Sequence, residues 1–250
     1  MMGSQGYYLY GVIEGSEEKR WGPIGLEGQE IRAVPFEKIA VVASPWARDV
    51  VLATSENCLS HERALGELIK TETVLPFEFG TIAPTEESLT KLMRTNYLRL
   101  LRALLKLRGK IEVHVTAVWR DTTVIFQELV KEHPMIAHYR REILAKPFEQ
   151  TYQDRVKIGQ MVAEALEIKR RQEGEKLFKT LKKGTSDACQ VGRPLVDSTM
   201  FTGAFLVKRE LYPDFERSLS ELGKRYDGRV DFKYTEPLPP YHFVGVTITL

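Results

Sequence analysis

VLPFEFGTIAPTEESLTKLMRTNYLRLLRALLKLRGKIEVHVTAVWR, from Val74 to Arg120, decides the fold because it reads as a strand, a helix and a second strand in succession. The apolar run Val74 to Phe79 ends at Gly80. Apolar residues then recur every three or four positions from Leu89 to Leu105, which is the spacing of one buried helix face. The pattern predicts a helix over 86–107.

Start and stop signals agree with this helix. Thr85 is a suitable N-cap, and Glu86 and Glu87 lie in the first turn, where the helix dipole favours anions. Gly109 follows the last turn and suits the left-handed conformation that ends many helices. Apolar residues then alternate with other side chains over 111–119, which predicts a half-buried strand.

Size and composition set broad limits. The chain has 250 residues, a formal net charge of +2 and 28% charged residues, which allows one large domain or two small ones and does not indicate a strongly basic nucleic-acid binder. No apolar run approaches the roughly 20 residues of a membrane span. The N-terminal residues lack the pattern of a signal peptide, and Cys58 and Cys189 lie far apart. The simplest expectation is a reduced cytoplasmic protein.

The first part of the chain predicts an α+β unit. Tyr7 to Ile13 is aromatic and β-branched, and two short strand candidates, Ile31 to Val34 and Ile39 to Ala43, flank a turn expected around Pro35. A helix is expected from Thr54 or Ser55 to about Lys70. Strands that alternate with two helices predict a ferredoxin-like sandwich with both helices on one face of the sheet.

The rest of the chain predicts a second α+β unit after a helical region. The expected elements are short helices from about 122 and 135, a long helix over 148–183, a loop over 184–198, a strand over 200–207, a helix from Pro213, a strand over 229–234 and a terminal strand over 243–250. In the long helix the apolar stripe fails between Ile168 and Lys176, and Gly174 weakens the helix there.

The expected domains are therefore an N-terminal α+β, ferredoxin-like domain over 1–109 and a C-terminal α+β domain over 110–250, which includes the helical segment 122–184. The fold class is α+β, with two ferredoxin-like units joined by a helical region. The strand at 111–119 is compatible with either unit.

No catalytic, metal or cofactor motif stands out. His61 has no second ligand at metal spacing nearby and is interpreted as a structural, hydrogen-bonded histidine. His133 and His138 are five positions apart with Pro134 between them, so they do not share a helical face. An enzyme that uses His61, His114 or His242 as a base stays open only as a minor alternative.

A basic stretch gives a second alternative. Seven lysines and arginines between Lys169 and Lys183 stand against Glu173 and Glu175. A nucleic-acid or regulatory binding surface on this helix (169–183) is one interpretation, and a solvated helix face is the simpler one. Single-strand binding by stacking has little support, because Phe178 is the sole aromatic residue within the stretch.

Four motifs, in this order, resemble those of the gas vesicle protein F/L family (GvpF/GvpL), and the similarity covers nearly the whole chain. They are YLYGV (Tyr8 to Val12), His61-Glu62 followed by VLPFEFGTI, GKIEVHV (Gly109 to Val115), and MFTGAFLV followed by PLPPYHFVGV (Pro237 to Val246). The chain departs from the family pattern at Glu78, where an arginine is usual, and at Glu236 and Leu238, where Gly-Pro-Trp-Pro-Pro-Tyr is usual.

The resemblance implies a non-enzymatic accessory protein of gas vesicle formation, without metal or cofactor. Its partners would be the small hydrophobic shell protein and other accessory proteins, and it would be cytoplasmic and associated with gas vesicles. Whether it leaves after assembly or stays as a minor component is open. Such binding needs an exposed apolar groove or a free sheet edge.

Two surfaces are candidates for partner binding. The first is the strand end that meets the helix, with His61, Glu62, Phe77, Phe79 and Gly80. The second is the proline-rich segment Pro237 to Phe243, whose candidate contacts are Pro239, Pro240, Tyr241 and Phe243. Alternatively, this second segment simply anchors the terminal strand.

Overall fold

The central strand of the first sheet is β1 (Tyr7–Glu14), which pairs antiparallel with strands on both sides. The structure, a computed structural model, describes residues 6–192 and 198–245. The first elements are β1, β2 (Arg20–Gly22), β3 (Ile31–Phe36), β4 (Ile39–Pro45), α1 (Ser55–Thr71), β5 (Val74–Pro76), β6 (Ile82–Ala83) and α2 (Glu86–Leu107). The strand order is β2-β3-β4-β1-β5, and β6 also pairs with β1.

The later elements build a second sheet and its helices. They are β7 (Lys110–Trp119), α3 (Thr122–Glu132), α4 (Pro134–Leu144), α5 (Tyr152–Lys182), β8 (Asp187–Gln190), β9 (Thr199–Lys208), α6 (Tyr212–Arg225) and β10 (Val230–Tyr234). Short 3-10 turns lie at Leu26–Gly28, Phe148–Gln150, Arg209–Leu211 and Tyr241–Phe243. The second sheet has the order β10-β7-β9-β8.

The chain packs as two compact units that are not continuous in sequence. Unit 1 holds the chain up to Val113, Leu206–Leu211 and the chain from Thr235 on, whereas unit 2 holds His114–Phe205 and Tyr212–Tyr234. The Arg209 side chain attaches its segment to unit 1 by donating to the Ile69 carbonyl. The expected boundary at residue 109 stays a prediction about which segments fold as domains.

The α+β class is confirmed, and the ferredoxin-like detail is not. Unit 1 places four strands before its first helix, which differs from the ferredoxin-like order of strand, helix, two strands, helix and strand. The elements of the second sheet do follow that order along the chain, with α3 to α5 in the place of the first helix.

Helix α2 is confirmed at the bounds that the sequence predicts. The Thr85 side chain accepts from Ser88 N–H at 3.0 Å, and the Ser88 hydroxyl accepts from Thr85 N–H, which forms a reciprocal cap. Gly109 adopts φ of 66°, the left-handed conformation expected after the helix. Thr85 and Gly109 therefore fix the length of this helix.

The expected turn around Pro35 is wrong. Pro35 lies inside β3 and faces Ala40 of β4, and the turn falls at Glu37, whose φ is 53°. Strand β2 pairs with β3 only at Ile31 and Arg32, so the missing N–H of Pro35 lies beyond that pairing. A proline is tolerated in a strand at such an edge position.

The expected loop over 184–198 is also wrong in part, because β8 occupies Asp187–Gln190. Residues 193–197 lie outside the described part of the chain. Of the expected terminal strand, the start is a 3-10 turn at Tyr241–Phe243, and residues 246–250 lie outside the described part.

Helix α5 continues unbroken through the stretch where the apolar pattern fails. Gly174 is buried there, and a Cβ built on it would lie 2.6 Å from the Met200 carbonyl oxygen of β9. Glycine therefore allows the backbones of α5 and β9 to approach closely. This close backbone contact packs α5 where large apolar side chains are missing. Within residues 6–192 and 198–245, no helix combines the length and the apolar character that crossing a membrane requires.

Candidate partner-binding surface

A buried tyrosine and a buried histidine connect β1 to α1 in unit 1. The Tyr8 hydroxyl lies 2.8 Å from His61 Nδ1, and both residues are at most 2% exposed. Gly80 N–H donates to the same hydroxyl at 3.2 Å. Strand β1, helix α1 and the loop after β5 therefore meet at one phenol oxygen.

Aromatic rings enclose this hydrogen bond. Tyr10 stacks on the His61 ring at 5.7 Å, and Phe79 meets the same ring edge-on at 5.8 Å. Trp46 and Phe79 lie 6.0 and 6.3 Å from the Tyr8 ring. Edge-on and offset contacts at such distances are the favourable arrangements for aromatic pairs. The cluster holds the loop at Phe79 and Gly80 on a rigid base.

Burial keeps the cluster uncharged near neutral pH. It lowers the pKa of His61 to about 4, and the backbone of Phe77 acts weakly in the opposite direction. Burial likewise raises the pKa of Tyr8 well above its ordinary value, with a smaller opposing effect from Gly80 N–H. Among the described residues, no group meets hydrogen-bond geometry with the buried His61 Nε2. A neutral, enclosed imidazole suits a structural role, as the sequence suggests.

The proline-rich segment is fastened to β7 by a buried carboxylate. Glu112 is fully buried and accepts from the backbone N–H of His242 at 2.9 Å. Its second oxygen lies 2.6 Å from His242 Nδ1. Glu112 and Leu238 also exchange two backbone hydrogen bonds, of 3.0 and 2.8 Å. Because a buried charge needs such partners, Glu112 fixes the path of this segment.

Tyr241 brings the two candidate regions together. Partial burial raises its pKa far above the ordinary value, although the residue is still 36% exposed. Smaller electrostatic effects of Glu62, Tyr8 and Glu112 raise this pKa further, so these groups lie within electrostatic range of the Tyr241 phenol. We use the term Tyr241 surface for Glu62, Phe79, Gly80 and Tyr241, the members that solvent reaches at least in part.

The other sequence-predicted site residues are buried. They are His61, Phe77, Pro239, Pro240 and Phe243. The contact role expected for these buried residues stays a prediction. Two important residues were not among the expected site residues, Tyr8 and Glu112. Glu112 is a charged residue between the β-branched residues Ile111 and Val113, and this position is the signal that could have identified it. It was expected on the polar face of the strand, whereas the structure buries it.

The basic stretch of α5, in unit 2, is neutralised in part by neighbouring carboxylates. Lys169 is only 12% exposed at its side chain and contacts Glu128, Glu132 and Glu173 at 2.7 to 3.5 Å. Arg170 pairs with Glu167 at 2.5 Å and donates to a backbone carbonyl. These ion pairs favour the solvated, structurally paired helix face over a phosphate-binding surface.

The whole described chain matches one family. Residues 6–245 match the model of the gas vesicle synthesis protein GvpL/GvpF family. The chain therefore belongs to this family, which is not a known enzyme family.

Particular relatives share its full length. Gas vesicle protein F of Microcystis aeruginosa (strain PCC 7806) is 23% identical over 241 residues, which cover 95% of this chain and 97% of that protein. Gas vesicle protein F of Nostoc sp. (strain PCC 7120) is 24% identical over 98% of this chain and 100% of its own length.

Solved structures share the fold. The crystal structure of GvpF from Anabaena sp. PCC7120 superposes with a TM-score of 0.84 at 24% identity and covers 98% of this chain and 100% of that one. The structure of GvpF from Microcystis aeruginosa gives a TM-score of 0.77 at 21% identity, with 96% and 99% covered. Both confirm the mixed helix and sheet architecture.

Proposed function

We propose that this chain is a non-enzymatic accessory protein of gas vesicle formation that binds the small hydrophobic shell protein through the Tyr241 surface. Other accessory proteins of the vesicle are expected as further partners. The family supports a role in gas vesicle formation. The choice of surface is supported by two observations: Gly80 N–H donates to the Tyr8 hydroxyl, and Glu62 and Tyr8 both act electrostatically on the partly exposed Tyr241 phenol.

This surface has the physical properties of a contact for an apolar chain. Phe79 and Tyr241 offer aromatic area whose burial stabilises an interface, and a phenol adds a polar group at its rim. The Tyr8 and His61 hydrogen bond and the Glu112 and His242 pair hold both sides of the surface in place. A pre-organised surface loses little conformational entropy on binding.

A pull-down with purified shell protein tests the proposal. We expect Phe79→Ala and Tyr241→Ala each to weaken capture by about tenfold or more, as truncation of an aromatic hot spot does. Phe36→Ala is the matched control for Phe79, since both phenyl groups are half-buried in unit 1. Tyr234→Ala, at a tyrosine that is 51% exposed, is the control for Tyr241. Unchanged capture by folded Phe79 and Tyr241 variants would exclude this surface.

A second experiment addresses whether the protein stays with the vesicle. Intact vesicles purified from producing cells are washed with denaturant, and the protein is followed by immunoblot. Retention after the wash shows a minor structural component, whereas absence from unwashed vesicles shows a chaperone or nucleator that leaves. Both outcomes agree with a role in assembly. That role itself predicts that cells from which the gene for this chain is deleted lose their vesicles.

A further inference from the structure

Helices α3, α4 and α5 of unit 2 border an open apolar groove of about 290 Å³. Phe126, Ile143, Leu144, Ile158 and Val162 supply its apolar walls. Leu144 is 71% exposed, which is unusual for a large aliphatic side chain that sits beside other apolar groups. The groove therefore presents apolar area to solvent that the described chain does not cover.

The floor of the groove is kept open by a glycine inside a helix. Gly159 lies in α5 and lines the groove, and a Cβ built on it would meet no atom within 4 Å. Glycine in a helix interior costs about 1 kcal/mol relative to alanine. Neither a tight packing contact nor a left-handed backbone requires glycine at position 159. Gly174 differs, because a Cβ there would lie too close to Met200. The visible effect of Gly159 is free space in the groove.

Two arginines line the same groove and lack acidic partners. Arg140 and Arg155 are both exposed, and neither pairs with a carboxylate among the described residues. The Arg155 guanidinium donates to Thr151 Oγ1 at 2.9 Å and lies 4.3 Å from the Phe148 ring centroid. Arg155 is thus held in position by neutral groups, and its charge remains available to an anion.

We propose that this groove binds an amphipathic helix of a partner protein, with apolar side chains in the groove and carboxylates against Arg140 and Arg155. A groove between helices matches the helix-in-groove mode of recognition, in which apolar side chains at helical spacing enter the groove. The two arginines specify an acidic rim on that helix, because unpaired guanidinium groups favour bidentate carboxylate partners. This site is separate from the Tyr241 surface and does not rest on its role.

A pair of synthetic peptides tests the charge requirement. Each is a stapled helix of about 15 residues, long enough for a stable helix, with leucines at helical spacing. One peptide carries glutamates beside the leucine stripe, and the other carries lysines at the same positions. Fluorescence anisotropy with the full chain should show binding of the glutamate peptide and at least tenfold weaker binding of the lysine peptide.

Gly159→Leu tests the location without removing any contact of the folded chain. The added side chain occupies the groove, so binding of the glutamate peptide should fall by at least tenfold. Gly66→Leu is the matched control, since Gly66 also lies within a helix, α1, with no atom within 4 Å of its Cβ position. Arg140→Glu should also weaken binding of the glutamate peptide and strengthen binding of the lysine peptide.

Three results would overturn the proposal. They are no binding of the glutamate peptide by the unaltered chain, equal binding of the two peptides, or unchanged binding by a Gly159→Leu variant with native circular dichroism. Binding of vesicles of anionic lipid that Gly159→Leu abolishes, with neither peptide bound, would instead show a lipid-facing groove.

Discussion

Gly174 and Gly159 lie in the same helix, α5, and should respond to the same substitution in opposite directions. Glycine to alanine in a helix interior normally stabilises by about 1 kcal/mol. At Gly159 the new methyl group meets no atom within 4 Å, so Gly159→Ala should show this gain. At Gly174 the methyl would lie 2.6 Å from the Met200 carbonyl oxygen and 3.1 Å from its carbon.

The contact at Gly174 is with backbone, so relief requires β9 or α5 to move. Overpacking of this kind costs about 1–3 kcal/mol. After the gain in helix propensity, Gly174→Ala should be neutral to about 2 kcal/mol less stable than the unaltered chain. The two variants should therefore differ by about 1–3 kcal/mol, since their helix propensities change equally.

Urea unfolding followed by circular dichroism measures the difference, and hydrogen exchange over 165–181 locates it in α5. An unchanged slope of the free energy of unfolding against urea concentration is required for the comparison. If Gly174→Ala stabilises as much as Gly159→Ala, the close approach of α5 to Met200 is not what requires glycine, and our account of this helix is refuted.

Three further predictions concern titration, the buried carboxylate and nucleic acid. Burial lowers the pKa of His61 from its ordinary value of 6.5 to about 4 in the fold. Its contribution to stability is therefore complete above pH 6.5 and falls as the pH drops toward 4, by about 2 kcal/mol at about pH 5. Urea midpoints should show this loss in the unaltered chain and not in His61→Gln. Glu112→Gln should speed up amide hydrogen exchange over 236–245 and lower the free energy of unfolding by about 1.5–3 kcal/mol, the range for a hydrogen bond to a charged group. Equal protection of these amides in both proteins would contradict this prediction. Duplex DNA should give no gel shift at low salt, because Lys169 and Arg170 are already paired, and a shift that Lys169→Met or Arg170→Met abolishes would restore the nucleic-acid alternative.

Local signals predict the elements whose ends are set by their own residues. Thr85 and Gly109 bound α2 at the expected positions, and Asp121 caps α3 by accepting from Thr123 N–H at 2.7 Å. Helix caps act over three or four residues, so the sequence carries their information locally.

Elements that depend on a distant partner are not predicted in this way. Strand β8 reads as a loop because its four residues carry no apolar alternation, and β9 supplies its pairing. The interruption of the apolar pattern in α5 also has no local explanation. Glycine is required at position 174 because Met200, in strand β9, lies against it.

The candidate site likewise contains residues that the sequence identifies and contacts that it does not predict. The family motifs point to His61, Glu62, Phe79 and Tyr241, but the hydrogen bond between Tyr8 and His61 joins positions 53 residues apart. Glu112 and His242 are 130 residues apart. No periodicity or spacing rule reports such a pair, because its members meet only after the fold has formed.

The pairing of Glu112 with His242 also sets an order of events during synthesis. Glu112 leaves the ribosome well before His242, and at about 5–20 residues per second roughly 7–26 s separate the two. Throughout that interval the carboxylate lacks the His242 groups that it binds in the finished protein. Tyr241 directly precedes His242 in the chain and is therefore also missing during that interval, so a nascent chain presents Phe79 and Gly80 without it.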